Sequence, residues 1–223
     1  FHLVWTAGWR GKGIGYASSH DLVTWSPQQF LPVMEHEPMA LNCWAPEIFS
    51  DDGENFLIHW ATSIQGRFPE TDGHGDEGLD HRMYFTTTRD FRTFSETRLF
   101  FDGSFNVIDA TLARDGDRYL LFMKDERPDQ KNIRMAIGDA IPGSFRNVSP
   151  PLTGSYWAEG PSAIKIDNRW VVYFDKYKAG SIGAIASRDL QTWEDISDAV
   201  HFPSGAQHGS VVEIPFRRVN HLL

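Results

Sequence analysis

Ser18-Ser19-His20-Asp21-Leu22-Val23-Thr24-Trp25 is followed by Thr87-Thr88-Arg89-Asp90-Phe91-Arg92-Thr93-Phe94 and by Ala186-Ser187-Arg188-Asp189-Leu190-Gln191-Thr192-Trp193. The three stretches share an Asp, an apolar residue, a Thr and an aromatic at the same offsets, so they read as copies of one structural unit. Asp and Thr at these places are turn residues. Each copy is expected to tuck one aromatic under an outer strand, which marks architecture and not chemistry.

Around these turns the chain is a series of short strand-like runs, among them Phe1 to Trp5, Phe56 to Ala61, Met83 to Thr87, Tyr119 to Lys124, Trp170 to Asp175 and Ile182 to Ala186. Helical periodicity of useful length is absent. The turns Asp51-Asp52-Gly53, Arg114-Asp115-Gly116-Asp117 and Ile166-Asp167-Asn168 join pairs of runs as antiparallel hairpins. A second repeated element precedes each hairpin: Ala45-Pro46-Glu47, Asp109-Ala110-Thr111, Gly160-Pro161-Ser162 and Gly209-Ser210-Val211. Successive copies lie about 50 to 65 residues apart, the length of one four-stranded propeller blade with loop insertions. The predicted fold is all-β: one domain over residues 1–223, a five-bladed β-propeller with incomplete first and last blades. Phe1 to Trp5 and Gly13 to Ala17 read as the second and third strands of a blade, and its inner strand is expected upstream of Phe1.

Composition narrows the function. With 41% hydrophobic and 13% aromatic residues, including 8 Trp and 16 Phe, the chain has material for a core and for stacking surfaces. A formal net charge of -9 argues against nucleic acid and against an anionic membrane as partners, and a neutral ligand fits better. Cys43 stands alone, so neither an internal disulfide nor a cysteine metal cluster can form within the chain. No apolar run reaches membrane-spanning length. Nothing in the sequence sets an oligomeric state.

In a propeller the inner strands surround a central channel, and residues at one end of each converge on a single pocket. Trp44, Asp109, Glu159 and His208 fall at or beside those ends. Two carboxylates meeting in a funnel suit glycosidic cleavage, which needs a proton donor and a second group that tunes it or activates water. Trp44 and Trp157 flank the carboxylate motifs and are candidates for lining a sugar pocket. Phe105 and Asn106, just before Asp109, are further candidates. The segment Ser63 to Arg82, with Gly66, Asp72, His74, Asp76, Glu77, Asp80 and His81, reads as a long solvated loop able to shape substrate entry. Lys124-Asp125-Glu126-Arg127 ends a strand with mixed charges and reads first as a solvated strand end, with a reach to the pocket rim as the alternative.

The strings Cys43-Trp44-Ala45-Pro46-Glu47, Val107-Ile108-Asp109-Ala110-Thr111, Trp157-Ala158-Glu159-Gly160-Pro161-Ser162 and Gln207-His208-Gly209-Ser210-Val211 resemble, in order, the successive blade starts of glycoside hydrolase family 43. The resemblance spans nearly the whole chain. It implies that Glu159 is the general acid and that Asp109 raises the Glu159 pKa and holds it in place. It also implies an Asp in the first blade as general base, in an inverting reaction. No such motif occurs near Phe1-His2-Leu3-Val4-Trp5, so the base is expected upstream of Phe1, with any signal peptide. His208 corresponds to a histidine that family members place on the propeller axis, among the substrate-binding groups, bound to water or to a metal. No cofactor is required, and any ion there is expected to be Ca²⁺ completed mainly by water. The expected substrate is an oligosaccharide or polysaccharide carrying terminal α-L-arabinofuranose or a related pentose or furanose, met outside the cell or in a periplasm. The alternative is a non-catalytic carbohydrate-binding propeller.

Overall fold

A computed structural model describes residues 1–71 and 75–222. Among the described residues fifteen strands form four antiparallel meanders. The first has three strands, β1 (His2–Thr6), β2 (Ile14–Ser18) and β3 (Gln29–Leu31). The second comprises β4 (Trp44–Phe49), β5 (Phe56–Ser63), β6 (His81–Thr88) and β7 (Arg98–Phe101). The third runs β8 (Val107–Asp115), β9 (Arg118–Asp125), β10 (Asn132–Gly138) and β11 (Phe145–Arg146), and the fourth β12 (Glu159–Ile166), β13 (Arg169–Lys176), β14 (Ser181–Ser187) and β15 (Glu194–Asp195). The leading strands meet in sequence, β1 on β4, β4 on β8 and β8 on β12. This is the radial order of a propeller, with the first blade short of a strand as predicted. Residues 208–213 of the last blade form no strand.

Each pair of adjacent blades closes over its own apolar core. Ile14, Tyr16, Ile58, Trp60 and Tyr84 fill the first interface. Leu57, Met83, Phe101, Val107 and Met123 fill the second. Phe122, Ile133, Trp170, Val172 and Phe174 fill the third. Consecutive residues of a middle strand therefore point into different cores, which is why Leu120-Leu121-Phe122-Met123 is apolar without alternation and wholly buried. At about 25 cal/mol per Å² of apolar surface, each such side chain stabilises the fold by roughly 1.5–3 kcal/mol. Cys43 belongs to the first interface, 1% exposed, and burial pushes its thiol up to about 12.

The repeated turns are explained by their hydrogen bonds. Asp21 accepts from the backbone N–H groups of Val23 and Thr24, Asp90 from Arg92 and Thr93, and Asp189 from Gln191 and Thr192. The residue after each Asp, Leu22, Phe91 or Leu190, takes a positive φ. Phe91 is buried, whereas the aromatic at the end of the first copy, Trp25, is 36% exposed. The tucked residue of that turn is thus not its Trp; the Asp carboxylate holds the turn.

A second repetition lies at the axis. Every complete inner strand opens with a β-bulge, between Trp44 and Glu47, Ile108 and Thr111, and Glu159 and Ser162. The second residue of each, Ala45, Asp109 or Gly160, has a φ of 44°, 51° or 55°. A bulge bends a strand and re-aims its side chains, so the heads of these strands turn into the channel.

The turn carboxylates dictate an acid response. Backbone N–H donors hold Asp21 and Asp90 down to about 2 in the folded chain. A depressed folded pKa contributes stability above the unfolded value, near 3.9, and the contribution is lost as pH falls through the folded value. The urea midpoint of the parent is therefore expected to fall between about pH 4 and pH 2. In Asp90→Asn, which keeps one acceptor oxygen but cannot titrate, it should fall less; equal pH slopes would show that the turn does not couple to protonation.

Candidate active site

The three bulges bring Trp44, Asp109 and Glu159 to one cleft of about 820 Å³, closed on its other sides by β1 and by His208 to Ser210. Asp109 is 6% exposed and sits at the strained bulge position. Its Oδ2 accepts the Gly160 N–H at 3.2 Å and lies 3.9 Å from His208 Nδ1. Glu159 stands one residue earlier in its own bulge, so that Asp109 binds the peptide directly following it. Gly160 is required twice here, by its φ and because a Cβ would lie 2.5 Å from the His208 ring.

The Glu159 head does not face carboxylates alone. Its Oε2 accepts from Lys124 Nζ at 2.9 Å. Lys124 is 3% exposed, and its ammonium also lies 2.7 Å from Glu126 and 4.7 Å from the centre of the Tyr177 ring. Burial works against its charge, but Asp109, Glu126 and Glu159 outweigh it and push the Lys124 pKa upward. The reading of residues 124–127 as a solvated strand end is therefore wrong. Lys124 and Asp125 are buried, and Asp125 is bracketed by Arg127 and Arg134. Asp125 is paired within its own blade and Lys124 reaches Glu159 of the next, and a buried charge at the end of an apolar strand survives only when it is paired in this way.

Two more acids join the channel. Asp175, 4% exposed, is the register partner of Glu159 and accepts the His208 backbone N–H at 3.2 Å. Burial and, more weakly, the nearby Glu159 and Asp109 charges raise its pKa. Glu47 accepts the Ser210 hydroxyl at 3.0 Å. Burial foremost lifts Glu47 to about 7, with Asp109 adding to the rise and Thr111, Ser210 and His208 opposing it. Both were passed over in the sequence, where Asp175 looked like a strand end and Glu47 like part of a motif.

His208 does lie on the cleft wall. Among the described residues no three His, Cys, Asp or Glu side chains converge to hold an ion. A calcium ion, which takes roughly six to eight oxygens, would rest there on one nitrogen and water. The donor set does not fit a protein-built metal site.

The predicted aromatic residues separate. Trp44 lines the cleft; its indole N–H donates to the Trp9 carbonyl at 3.0 Å, and the two rings meet edge to face at 5.5 Å. Trp9, 78% exposed, lies in a short loop without any pattern to single it out. Trp157 is half-exposed outside the cleft wall, 5.8 Å from Tyr177 and beneath the Lys178 ammonium. Phe105 is a core residue: it packs on Phe101 under the Arg127 guanidinium and lines neither the cleft nor the cavity beside it. Asn106 is buried, with its amide holding the His81 N–H and the Leu79 carbonyl. It borders a second cavity of about 400 Å³ that shares Trp9, Trp44 and Glu126 with the cleft.

The connection between β5 and β6 is also less solvated than expected. Asp80, His81 and Arg82 are buried, and Arg82 binds Asp80 at 2.8 Å and stacks on Phe68. Burial pulls His81 down to about 4, so it is neutral near pH 7. Asp76 and Glu77 line the second cavity. Asp72 and His74 lie outside the described residues.

Comparison with known proteins agrees with the propeller fold. Among curated proteins none matches the chain. A xylan β-1,4-xylosidase from Bacillus halodurans is similar in structure, with 19% identity and a TM-score of 0.71 over 96% of this chain and 44% of that one. A mutant of the family 43 protein BlXynB from Bacillus licheniformis has 19% identity and a TM-score of 0.67, over 95% of this chain; the present chain spans 43% of its length. The catalytic domain of a family 62 α-L-arabinofuranosidase from Coprinopsis cinerea has 15% identity and a TM-score of 0.62 over 88% of this chain and 64% of that one. Residues 7–218 match the family model described as a probable glycosyl hydrolase domain, related to glycoside hydrolase family 43, and the chain belongs to that family.

Proposed function

We propose that the protein is an inverting, exo-acting glycosidase that removes terminal α-L-arabinofuranose, or a related pentose such as β-xylose, from an oligosaccharide or polysaccharide outside the cell or in a periplasm. The observation that carries this reading is the shared cleft of Asp109 and Glu159, two carboxylates projected from neighbouring blades by the same bulge. Glycosidic cleavage by inversion needs an acid beside the leaving oxygen and a base on the far side of the sugar, about 6.5–9.5 Å away. Glu159 gives its proton to the glycosidic oxygen as the bond to the anomeric carbon breaks. Water, losing a proton to the base, attacks that carbon from the opposite face. Asp109 fixes the Glu159 peptide through Gly160 and places a second carboxylate in the same cleft. Trp9 and Trp44 offer aromatic surface to the C–H face of the sugar.

The base is proposed to arrive on a segment that pairs with the free edge of β1. Among the described residues β1 pairs only with β2, and its residues Leu3 to Thr6 line the cleft that also holds Glu159. The wall from Leu3 to Trp9 carries no carboxylate. That observation favours a second reading for the chain as it stands: a propeller that binds carbohydrate without cleaving it.

Turnover separates the two. With the chain extended upstream through an Asp-bearing strand, arabinofuranosides or xylosides are expected to be hydrolysed with inversion, read as the first-formed product anomer by NMR. Retention would remove the mechanism, and binding without turnover would favour the second reading. Glu159→Gln is expected to abolish cleavage of natural linkages, a loss of about 10²–10⁴-fold, and to spare activated aryl glycosides in part because they need little protonation. Asp109→Asn keeps a side chain tolerant of positive φ, so its expected loss of about 100-fold in kcat at unchanged circular dichroism reports the missing charge.

A further inference from the structure

Glu159 stands at one end of a run of five charges that alternate in sign. Its Oε2 meets Lys124 at 2.9 Å; Lys124 meets Glu126 Oε2 at 2.7 Å; Glu126 Oε1 meets Lys131 at 2.6 Å; Lys131 meets Asp76 at 2.6 Å. The two ammonium side chains are 3% and 1% exposed, so water cannot replace their partners. The run ties together three separate segments: the connection between β5 and β6, the end of β9 with the turn that follows, and the head of β12. The turn after β9 holds the last of these at a second point, since the Lys131 carbonyl accepts the N–H of Ala158, the residue before Glu159.

A carboxyl group that delivers a proton must hold it on one particular oxygen. Oε2 already accepts from an ammonium that points at it, and a proton placed there would displace that contact. Oε1 accepts from no protein donor among the described residues, and Glu159 borders the open cleft.

We propose that Lys124 positions Glu159 through Oε2, leaving Oε1 to carry and deliver the proton, and that Asp76, acting through Lys131 and Glu126, makes the connection between β5 and β6 part of that device. This deepens the reading of Glu159 as the acid and rests on it. Asp76 also borders the second cavity, beside Trp9 and His81. A sugar ring entering that cavity would touch the outer end of the charge run whose inner end is the acid.

Kinetics with poor and activated leaving groups test the delivery step. Lys124→Met is expected to lower kcat on alkyl or natural linkages by about 100-fold, with KM within about threefold, and to lower it by no more than about threefold on an activated aryl glycoside. Lys124→Arg should recover at least about tenfold of the loss. Asp76→Asn, at the 59% exposed end where folding is not at stake, should show the same leaving-group dependence at about fivefold. Lys165→Met, an exposed lysine outside the run, serves as the control. Equal losses on both substrate types, in either Lys124→Met or Asp76→Asn, would overturn the proposal. Crystal structures supply an arm independent of turnover. In Lys124→Met the Glu159 carboxylate should leave its parental position, and an unmoved carboxylate would overturn the positioning role. These kinetics use the chain extended upstream through the Asp-bearing strand; if that parent is inactive on every pentoside tried, the acid assignment and with it delivery from Oε1 are refuted, while the crystallographic comparison still decides whether Lys124 holds Glu159.

Discussion

The bulge at the head of each inner strand is the constraint from which the site follows. A regular strand would alternate its side chains between the two flanking cores, and an Asp or Glu at its end would face a wall of aliphatic groups. The extra residue, with its positive φ at Ala45, Asp109 and Gly160, breaks that alternation and swings the strand head toward the axis. Backbone strain of this kind persists only where the surroundings determine it fully. Here the surroundings are the three inter-blade cores, whose wholly buried side chains leave the strands no freedom to relax. Packing far from the axis thus sets the angle at which two carboxylates meet.

Electrostatics in the cleft then depend on how charge is distributed. Asp109, Glu159, Asp175 and Glu47 would repel one another if left alone, and Lys124 stands among them as the counter-charge. The lysine is held by an aromatic face and by two carboxylates from different segments, so its ammonium is fixed in place. An enclosed, pre-oriented charge of this sort acts more strongly than the same group in water. The acids differ in consequence: Glu47 and Asp175 are raised mainly by burial, while Glu159 has a cation at hydrogen-bonding distance.

Much of the architecture was legible because propeller blades repeat. Asp21, Asp90 and Asp189 recur with their Thr and aromatic partners since each turn satisfies the same two backbone N–H groups. The heads of the inner strands recur since each needs the same bulge. Asp109, Glu159, Trp44 and His208 could be placed in one cleft from their position in these repeats. The remainder depends on contacts between segments distant in sequence, which leave no local pattern. Lys124 and Asp175 look like ordinary strand ends until a neighbouring blade buries them. Trp9 lies in a loop with no periodicity, and Phe105 resembles a ligand-facing aromatic until the core closes around it. The connection after β5 looked solvated because its charges are evident in the sequence, whereas the Arg82 to Asp80 pairing that buries them is not.

The sequestered Cys43 gives the molecule a built-in clock. Its sulfur sits where the first and second blades close on each other, and the raised thiol pKa keeps it protonated at neutral pH. Thiolate, the reactive form, is therefore scarce while this interface is packed. Alkylating reagents reach this single thiol only when the core between those two blades opens, so the rate of its modification reports that opening.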